Sequence, residues 1–340
     1  MRSFTLHEPQ TVNEAVAELR SHGAEARPLA GGTDLVAGVM RDQLSGSAMP
    51  YPTHLVDLTT VPELTGIHIE NGSARIGATT TLLEIAASPE LTERWPLLAQ
   101  AAGEVASPEI RALGTLGGNI HQRPRCWFFR NKDFDCIKKG GDICFAVKGD
   151  NRYNAILGGH LCYIVHPSDL AMVLVALDAR ARVASPAQES LREVPFAEYF
   201  LGPQQDLLRE TVLEADELLT EVVIPPVPAH THHAWQKLND KGQPTWDFAL
   251  VSVAAAITAI DGVWEDGRIV LGGVAPTPYR ATAVEEALAG QDIRSALPDA
   301  IQELRAVARP MRHNAFKLQL AETLIERTVL GALASEPVTA

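Results

Sequence analysis

All four cysteines of this 340-residue chain, Cys126, Cys136, Cys144 and Cys162, fall inside one window of 37 residues. Four cysteines scattered at random would cluster so tightly with a chance of about 0.005, so one shared ligand is the economical reading. Thiols so placed could close disulfides, hold a structural zinc or carry an iron–sulfur cluster. Disulfides belong to oxidising compartments, and the segment Met1–Pro9 turns polar before an export signal could develop, which sets the expectation of reduced thiols. Zinc knuckles pair their ligands as Cys-x-x-Cys, whereas the gaps here are nine, seven and seventeen residues. A cubane held by four thiolates tolerates wide spacing and needs positive charge around it. Between His121 and Arg152 eight basic residues, Lys138 and Lys139 among them, stand against four aspartates, and Trp127, Phe128 and Phe129 follow the first cysteine, where they could exclude water. The competing reading is a solvated basic face beside a small satellite core.

Two glycine turns form the second chemical feature. Ala30-Gly-Gly-Thr-Asp-Leu35 and Gly114-Thr-Leu-Gly-Gly-Asn-Ile120 are both small, polar and hydroxyl-bearing, while neither Gly-x-Gly-x-x-Gly nor a Walker loop occurs. Paired backbone nests of this kind can hold a pyrophosphate through N–H groups without a lysine, with Thr33 and Thr115 adding hydroxyls and Asn119 an amide. Ordinary turns remain the alternative. His230, His232 and His233 follow a proline-rich stretch without a nearby carboxylate or cysteine and read as an exposed loop; His121, His160 and His166 read as structural hydrogen-bonding groups.

The elements that must position these residues follow the hydrophobic pattern. Phe4–Leu6, Arg27–Leu29 and His54–Leu58 read as strands, and Thr11-Val-Asn-Glu14 caps a helix running to about His22. Ile67–Ile76 is a hairpin turning at Asn71-Gly72. Thr81–Ala87 and Leu97–Val105 look helical; Ser107 to Pro167 loses regular pattern; order returns with a helix at Asp169–Leu177 capped by Ser168, then strands at Arg182–Ala184 and Leu218–Ile224. Pro225 to Pro228 reads as a linker. Trp235–Leu238, Ala249–Ile260 and Arg268–Val274 then form a meander with turns at Asp261-Gly262 and Asp266-Gly267, and helices at Arg280–Leu288, Ala300–Ala308 and Ala315–Leu330 close the chain.

The expectation is an α+β (mixed α/β) chain of two domains, 1–225 and 229–335, the first carrying an insertion at 121–165. A net charge of −13 argues against nucleic-acid or membrane-surface binding, and no apolar run approaches the roughly 20 residues of a membrane helix.

These residues resemble a known family. Ala30-Gly-Gly-Thr-Asp-Leu35, Ile76-Gly-Ala-Thr-Thr-Thr81, Gly114-Thr-Leu-Gly-Gly-Asn-Ile120, Pro167-Ser-Asp-Leu-Ala171, Glu221-Val-Val-Ile-Pro225 and Gly272-Gly-Val-Ala-Pro-Thr-Pro278 are similar, in order, to motifs of the FAD-binding subunits of molybdenum hydroxylases. That family includes xanthine dehydrogenases, aldehyde oxidoreductases and aerobic carbon monoxide dehydrogenases. The resemblance implies a two-subdomain FAD-binding fold of the vanillyl-alcohol-oxidase-like (PCMH) type, followed by a small antiparallel sheet with helices. In most members the Gly-Gly-Asn turn and the Ser-Asp-Leu helix lie close in sequence. Here some forty residues containing every cysteine separate them. The insertion is similar to that of three-subunit, periplasmic-type bacterial aldehyde oxidoreductases and of the 4-hydroxybenzoyl-CoA reductase flavin subunit, which carry an extra [4Fe-4S] cluster there.

Carried over by position, the resemblance implies that Arg27, Pro28, Leu29, Ala30, Gly31, Gly32, Thr33, Asp34 and Leu35 wrap the FAD pyrophosphate. Thr115, Gly118 and Asn119 would form the opposing cradle, Asp169 would meet a ribose or ribityl hydroxyl, Lys237 would sit near the flavin ring, and the four cysteines would hold the cluster. Implied partners are a large molybdenum-cofactor subunit, a small [2Fe-2S] subunit and an external electron acceptor, in the cytoplasm or in the periplasm by co-export with a signal-bearing subunit. A xanthine-dehydrogenase-like or 4-hydroxybenzoyl-CoA-reductase-like subunit, a self-contained flavoprotein reductase and a zinc-stabilised assembly module are the rival expectations.

Overall fold

The computed structural model describes residues 1–42, 44–186, 190–241 and 246–338. Three sheets organise them. Strands β1 (Thr5–His7), β2 (Ala26–Leu29) and β3 (His54–Asp57) form a parallel layer in the order β1-β3-β2. The helix Val12–His22 makes the crossover. Thr11 caps it by accepting from the Glu14 amide, and the Glu14 carboxylate reaches one residue further back than a capping box requires, to the Gln10 N–H at 2.7 Å. Ala15, Val16 and Leu19 recur on one helical face and pack with Val56 and Ala26 of the sheet.

The second sheet is antiparallel, ordered β4-β5-β8-β6-β7, from β4 (Ile67–Glu70), β5 (Ser73–Gly77), β6 (Arg180–Ala184), β7 (Arg192–Pro195) and β8 (Leu218–Ile224). The β4–β5 hairpin turns at Asn71 (φ 51°) and Gly72 (φ 78°), as the Asn-Gly pair demands. The third sheet is ordered β12-β11-β10-β9, from β9 (Thr231–Leu238), β10 (Val251–Ile260), β11 (Val263–Gly272) and β12 (Tyr279–Arg280), with the long helix Phe316–Ala334 against β10 and β9. Asp261-Gly262 is the β10–β11 turn. Asp266-Gly267 is not a turn: both residues pair inside the ladder, with Thr258 and Ile257, across a bulge at Thr258/Ala259.

The helix Asp169–Ala176 is buried along its whole length. An added Cβ at Gly272 would stand 2.5 Å from the Met172 sulfur, so this helix lies directly on the third sheet while its other side belongs to the core of the second. That sandwich places the start of the helix between the two halves of the chain.

Residues 121–165 fold as an irregular wrap with two short turns of 3₁₀ helix, Ile137–Lys139 and Phe145–Val147. The stretch before it is more regular than its sequence pattern suggests, since Pro108–Leu113 and Leu116–Ile120 are helical. Among the described residues no helix is long and apolar enough to cross a membrane.

Candidate functional site

The two glycine turns face each other in direct contact. Strand β2 delivers Ala30 to Leu35 against the end of the helix Pro108–Leu113, and a Cβ on Gly31 would lie 1.8 Å from the Leu113 carbonyl oxygen. Only glycine permits that approach. Gly32 adopts φ +67°, and the Thr33 hydroxyl lies 3.6 Å from where a Gly114 Cβ would stand. The third motif, around Ile76 to Thr81, joins the same assembly: Leu116 N–H donates to the Thr80 carbonyl at 2.9 Å and Gly117 N–H to that of Ala78 at 2.8 Å. Thr115 uses its hydroxyl to accept from Gly118 N–H at 3.1 Å, capping the short helix Leu116–Ile120. Three stretches far apart in sequence thus meet in one backbone-to-backbone assembly.

Asn119 and Ser168 connect this assembly to the buried helix. The Ser168 hydroxyl donates to the Asn119 side-chain oxygen at 2.5 Å and accepts from Ala171 N–H at 2.9 Å, so the Gly-Gly-Asn turn is fastened to the cap of the helix that begins at Asp169. One residue on, the Asp169 carboxylate takes a 2.6 Å hydrogen bond from the Lys237 ammonium of β9, with both side chains buried. Sequence reading assigned these two residues separate contacts with a flavin, and the structure brings them together as one ion pair. Arg27 turns back on its own strand and donates to the carbonyls of Ala24 and Ala26, and burial followed by the neighbouring Arg123 lowers its pKa.

Asp34 occupies the junction between turn and insertion. Its carboxylate accepts from Arg123 N–H at 2.8 Å and from the Arg130 guanidinium at 2.7 Å, and pairs with Arg125 at 2.9 Å. Burial pushes Arg125 down to about 10 against the pull of Asp34. Glu210 holds the wrap from the other side, pairing with Lys138 at 2.7 Å and Arg123 at 3.2 Å. Lys139 is 1% exposed and donates to the Asn131 carbonyl. Much of the basic charge of the wrap is therefore turned inward, which removes the reading of a solvated face. No spacing rule could have found Asp34 and Glu210 as anchors, because their partners lie some 70 to 100 residues away.

Within the wrap the four thiols are unpaired. The amide two residues further on acts to lower the pKa of each thiol: Phe128 at Cys126, Lys138 at Cys136, Ala146 at Cys144 and Ile164 at Cys162. The Asn154 side chain donates to Cys126, and the amides of Phe129 at Cys126, Lys139 at Cys136, and Val147 and Tyr163 at Cys144 act in the same direction. Burial raises the pKa of Cys126 and Cys136. Cys144 and Cys162 interact side chain to side chain, which lowers Cys144 to about 6 and raises Cys162. Repeated N–H donors aimed at sulfur suit thiolates that remain charged on a metal centre, where such bonds also tune potential. A single zinc would draw four sulfurs to about 3.8 Å of one another, given Zn–S bonds near 2.3 Å. Among the described residues, no set of three ligand atoms within 4.8 Å includes these thiols.

The aromatic shield differs from expectation. Phe129 is buried with Val39, Leu44, Met49 and Cys136, and Phe134 stacks edge-on with Phe128 and Phe145, but Trp127 is 52% exposed. His121 bridges the Gly117 carbonyl and the Tyr199 hydroxyl at 2.8 and 2.7 Å, its pKa lowered by burial; His166, also buried, is pushed down to about 4. His160 is exposed. His232 and His233 are not loop residues: both lie in β9, where burial pushes His233 down to about 4.

A family profile described as the FAD binding domain in molybdopterin dehydrogenase matches residues 2–227, and one described as the CO dehydrogenase flavoprotein C-terminal domain matches 239–332. The aldehyde oxidoreductase FAD-binding subunit PaoB of Escherichia coli is 33% identical over 338 residues, 98% of each chain. The carbon monoxide dehydrogenase medium chain of Hydrogenophaga pseudoflava is 29% identical over 97% of each chain. A solved carbon monoxide dehydrogenase from that organism superposes with a TM-score of 0.75 over 98% of both chains at 29% identity. Quinoline 2-oxidoreductase of Pseudomonas putida gives 0.73 at 25% identity, again over 98% of both.

Proposed function

Because the chain belongs to the FAD-binding subunits of the molybdenum hydroxylase family, we propose that it is the electron-transfer subunit of an aldehyde-oxidising complex and holds a [4Fe-4S] cluster beside its FAD. The observation that carries this reading is the position of the thiol-bearing wrap, which starts directly after the Gly114-to-Asn119 turn and is anchored on Asp34 of the other glycine turn. In this reading Arg27 to Leu35 line one side of the pyrophosphate, Thr115, Gly118 and Asn119 the other, and the Asp169–Lys237 pair stands at the flavin end. Cys126, Cys136, Cys144 and Cys162 hold the cluster. The boundaries 1–225, with its insertion at 121–165, and 229–335 belong to the same proposal.

Bound FAD can exchange electrons in pairs or singly, and an iron–sulfur cluster passes them one at a time. The protein's own part is positional. Amides of the Gly31-to-Asp34 turn, with the Thr115 hydroxyl and the Asn119 side-chain amide opposite, would receive a dianionic pyrophosphate, the inward-turned Lys138 and Lys139 would offset the charge of four thiolates, and Phe129 would keep water from Cys136. Substrate oxidation falls to a large molybdenum-cofactor subunit, with a small [2Fe-2S] subunit between the two and an external acceptor beyond the flavin. The similarity to PaoB supports an aldehyde as substrate class.

Anaerobic purification of the chain from its native host, without separating its partners, tests this. The expected result is flavin absorption over a broad shoulder bleached by dithionite, in company with a molybdenum subunit and a [2Fe-2S] subunit. A flavoprotein free of iron and of partners, or a colourless zinc protein, would overturn the proposal.

A further inference from the structure

Three imidazoles converge at the edge of the parallel layer. Thr5 of β1 pairs with His54 of β3, so the two-residue period of a strand puts His7 on the same face of the sheet as His54 and Val56. That face meets the helix Val12–His22, whose buried positions Ala15 and Leu19 are followed three residues later by His22. Glu18 sits one turn before His22. Three backbone elements thus deliver their side chains to one place without any being near another in sequence.

The contacts are close. His7 Nε2 lies 2.9 Å from His54 Nδ1, and the Glu18 carboxylate lies 3.0 Å from His7 Nδ1 and 3.4 Å from His22 Nε2. The rings of His22 and His54 stack with centroids 3.7 Å apart. One nitrogen from each of the three histidines falls within 4.8 Å of the other two, and the side chains of His7, His22 and Glu18 are only 19%, 28% and 39% exposed. This cluster takes no part in the flavin cradle: His54 stands beside Ala26 at the start of β2, whereas the glycine turn leaves from Leu29 at its other end, about 10 Å along the strand.

Three imidazole nitrogens, one from each histidine, form a donor set suited to a borderline divalent cation with one position left to solvent, and the Glu18 carboxylate on the other ring nitrogen of His7 would orient that imidazole from outside. Bond lengths near 2.05 Å would set such donors about 3.3 Å apart, which lies within the range of separations seen here. We propose that His7, His22 and His54, with Glu18 orienting the His7 ring, form a structural site for a divalent ion of the zinc class, joining β1, β3 and the crossover helix. The site is separate from the cysteine wrap in place and in chemistry. Its role is to fasten the small parallel layer whose middle and edge strands lead to the cradle.

The test titrates zinc onto the tag-free full-length chain, following thermal unfolding, flavin content and zinc K-edge X-ray absorption. The expected result is saturable uptake of about one equivalent with a raised melting temperature and only nitrogen and oxygen scatterers near 2.0 Å. His22→Gln is expected to lose most of that uptake and of the thermal shift, and Glu18→Gln a smaller part of both, each keeping its flavin. Absence of saturable uptake, sulfur scatterers near 2.3 Å, or an undiminished shift in His22→Gln would overturn the assignment. Should His22→Gln not fold, the scattering of the unmodified chain decides alone.

Discussion

The Lys237 ammonium donates a 2.6 Å hydrogen bond to the Asp169 carboxylate at a point where the two side chains are 3% and 8% exposed. The pair spans 68 residues of sequence and joins the start of the buried helix to β9, so it ties the half of the chain bearing the glycine turns to the C-terminal sheet. Removing one member leaves the other charged, buried and uncompensated, at a cost of about 3–5 kcal/mol. Asp169→Asn and Lys237→Met are each expected to unfold at markedly lower urea concentration. The double variant should lose much less than the sum of the two, which a double-mutant cycle measures.

Gly31→Ala is expected to abolish or severely weaken flavin retention, because its Cβ would occupy the space of the Leu113 carbonyl and force the two turns apart. Gly331→Ala is the control. Its Cβ meets nothing within 4 Å in the helix Phe316–Ala334, and it should stabilise by about 0.5–1 kcal/mol with flavin content unchanged. Flavin released on denaturation, compared between the two, reads the difference.

Asp34→Ala should loosen the wrap at its root, since Arg123 N–H, Arg125 and Arg130 all converge on this carboxylate. A loss of about 2–3 kcal/mol is expected from leaving partly buried charged donors without their acceptor. Hydrogen exchange should speed up across 121–165 before it does so in β10 or β11. Equal protection of the wrap in the variant and the parent would contradict the anchoring role.

Acid sensitivity should arise above the carboxylate range. Burial pushes His166 and His233 down to about 4 and lowers His121, so the unfolded chain, with histidines near 6.5, binds these protons first. The stability they contribute is fully present above about pH 6.5 and is lost as pH falls towards about 4, with a contribution of roughly 3 kcal/mol from His166. Melting temperatures taken across that window should fall less steeply in His166→Asn than in the parent.

What could be read from the sequence was whatever local chemistry decides. The Asn71-Gly72 and Asp261-Gly262 turns need left-handed backbone, Thr11 and Ser168 cap their helices through their own hydroxyls, and the glycine pairs mark close backbone approach. Where long-range pairing decides, local reading failed. Asp266-Gly267 resembles a turn by composition but is held in β11 by its register with β10, where a Gly267 side chain would collide with Trp264 and the Ala256 carbonyl. The helix Ile293–Ala300 carries Pro298 inside its last turn and gave no periodic signal of its own. Asp34 was assigned to the ligand on its own glycine turn; its three basic partners became visible only once the wrap had folded back onto β2. His7, His22 and His54 are unremarkable by spacing, and only the parallel register of β1 with β3 and the packing of the crossover helix on that sheet make them neighbours.

The measurement that bears most directly on the central claim is the iron and acid-labile sulfide content of the anaerobically isolated chain, compared with that of Cys136→Ser. About four irons and four sulfides per flavin are expected in the parent, with a large loss of both and retention of most FAD in the variant, because Cys136 lies in the wrap and not in the glycine turns. Iron and sulfide absent from the parent, or unchanged by the substitution, would contradict a cluster held by these four thiols.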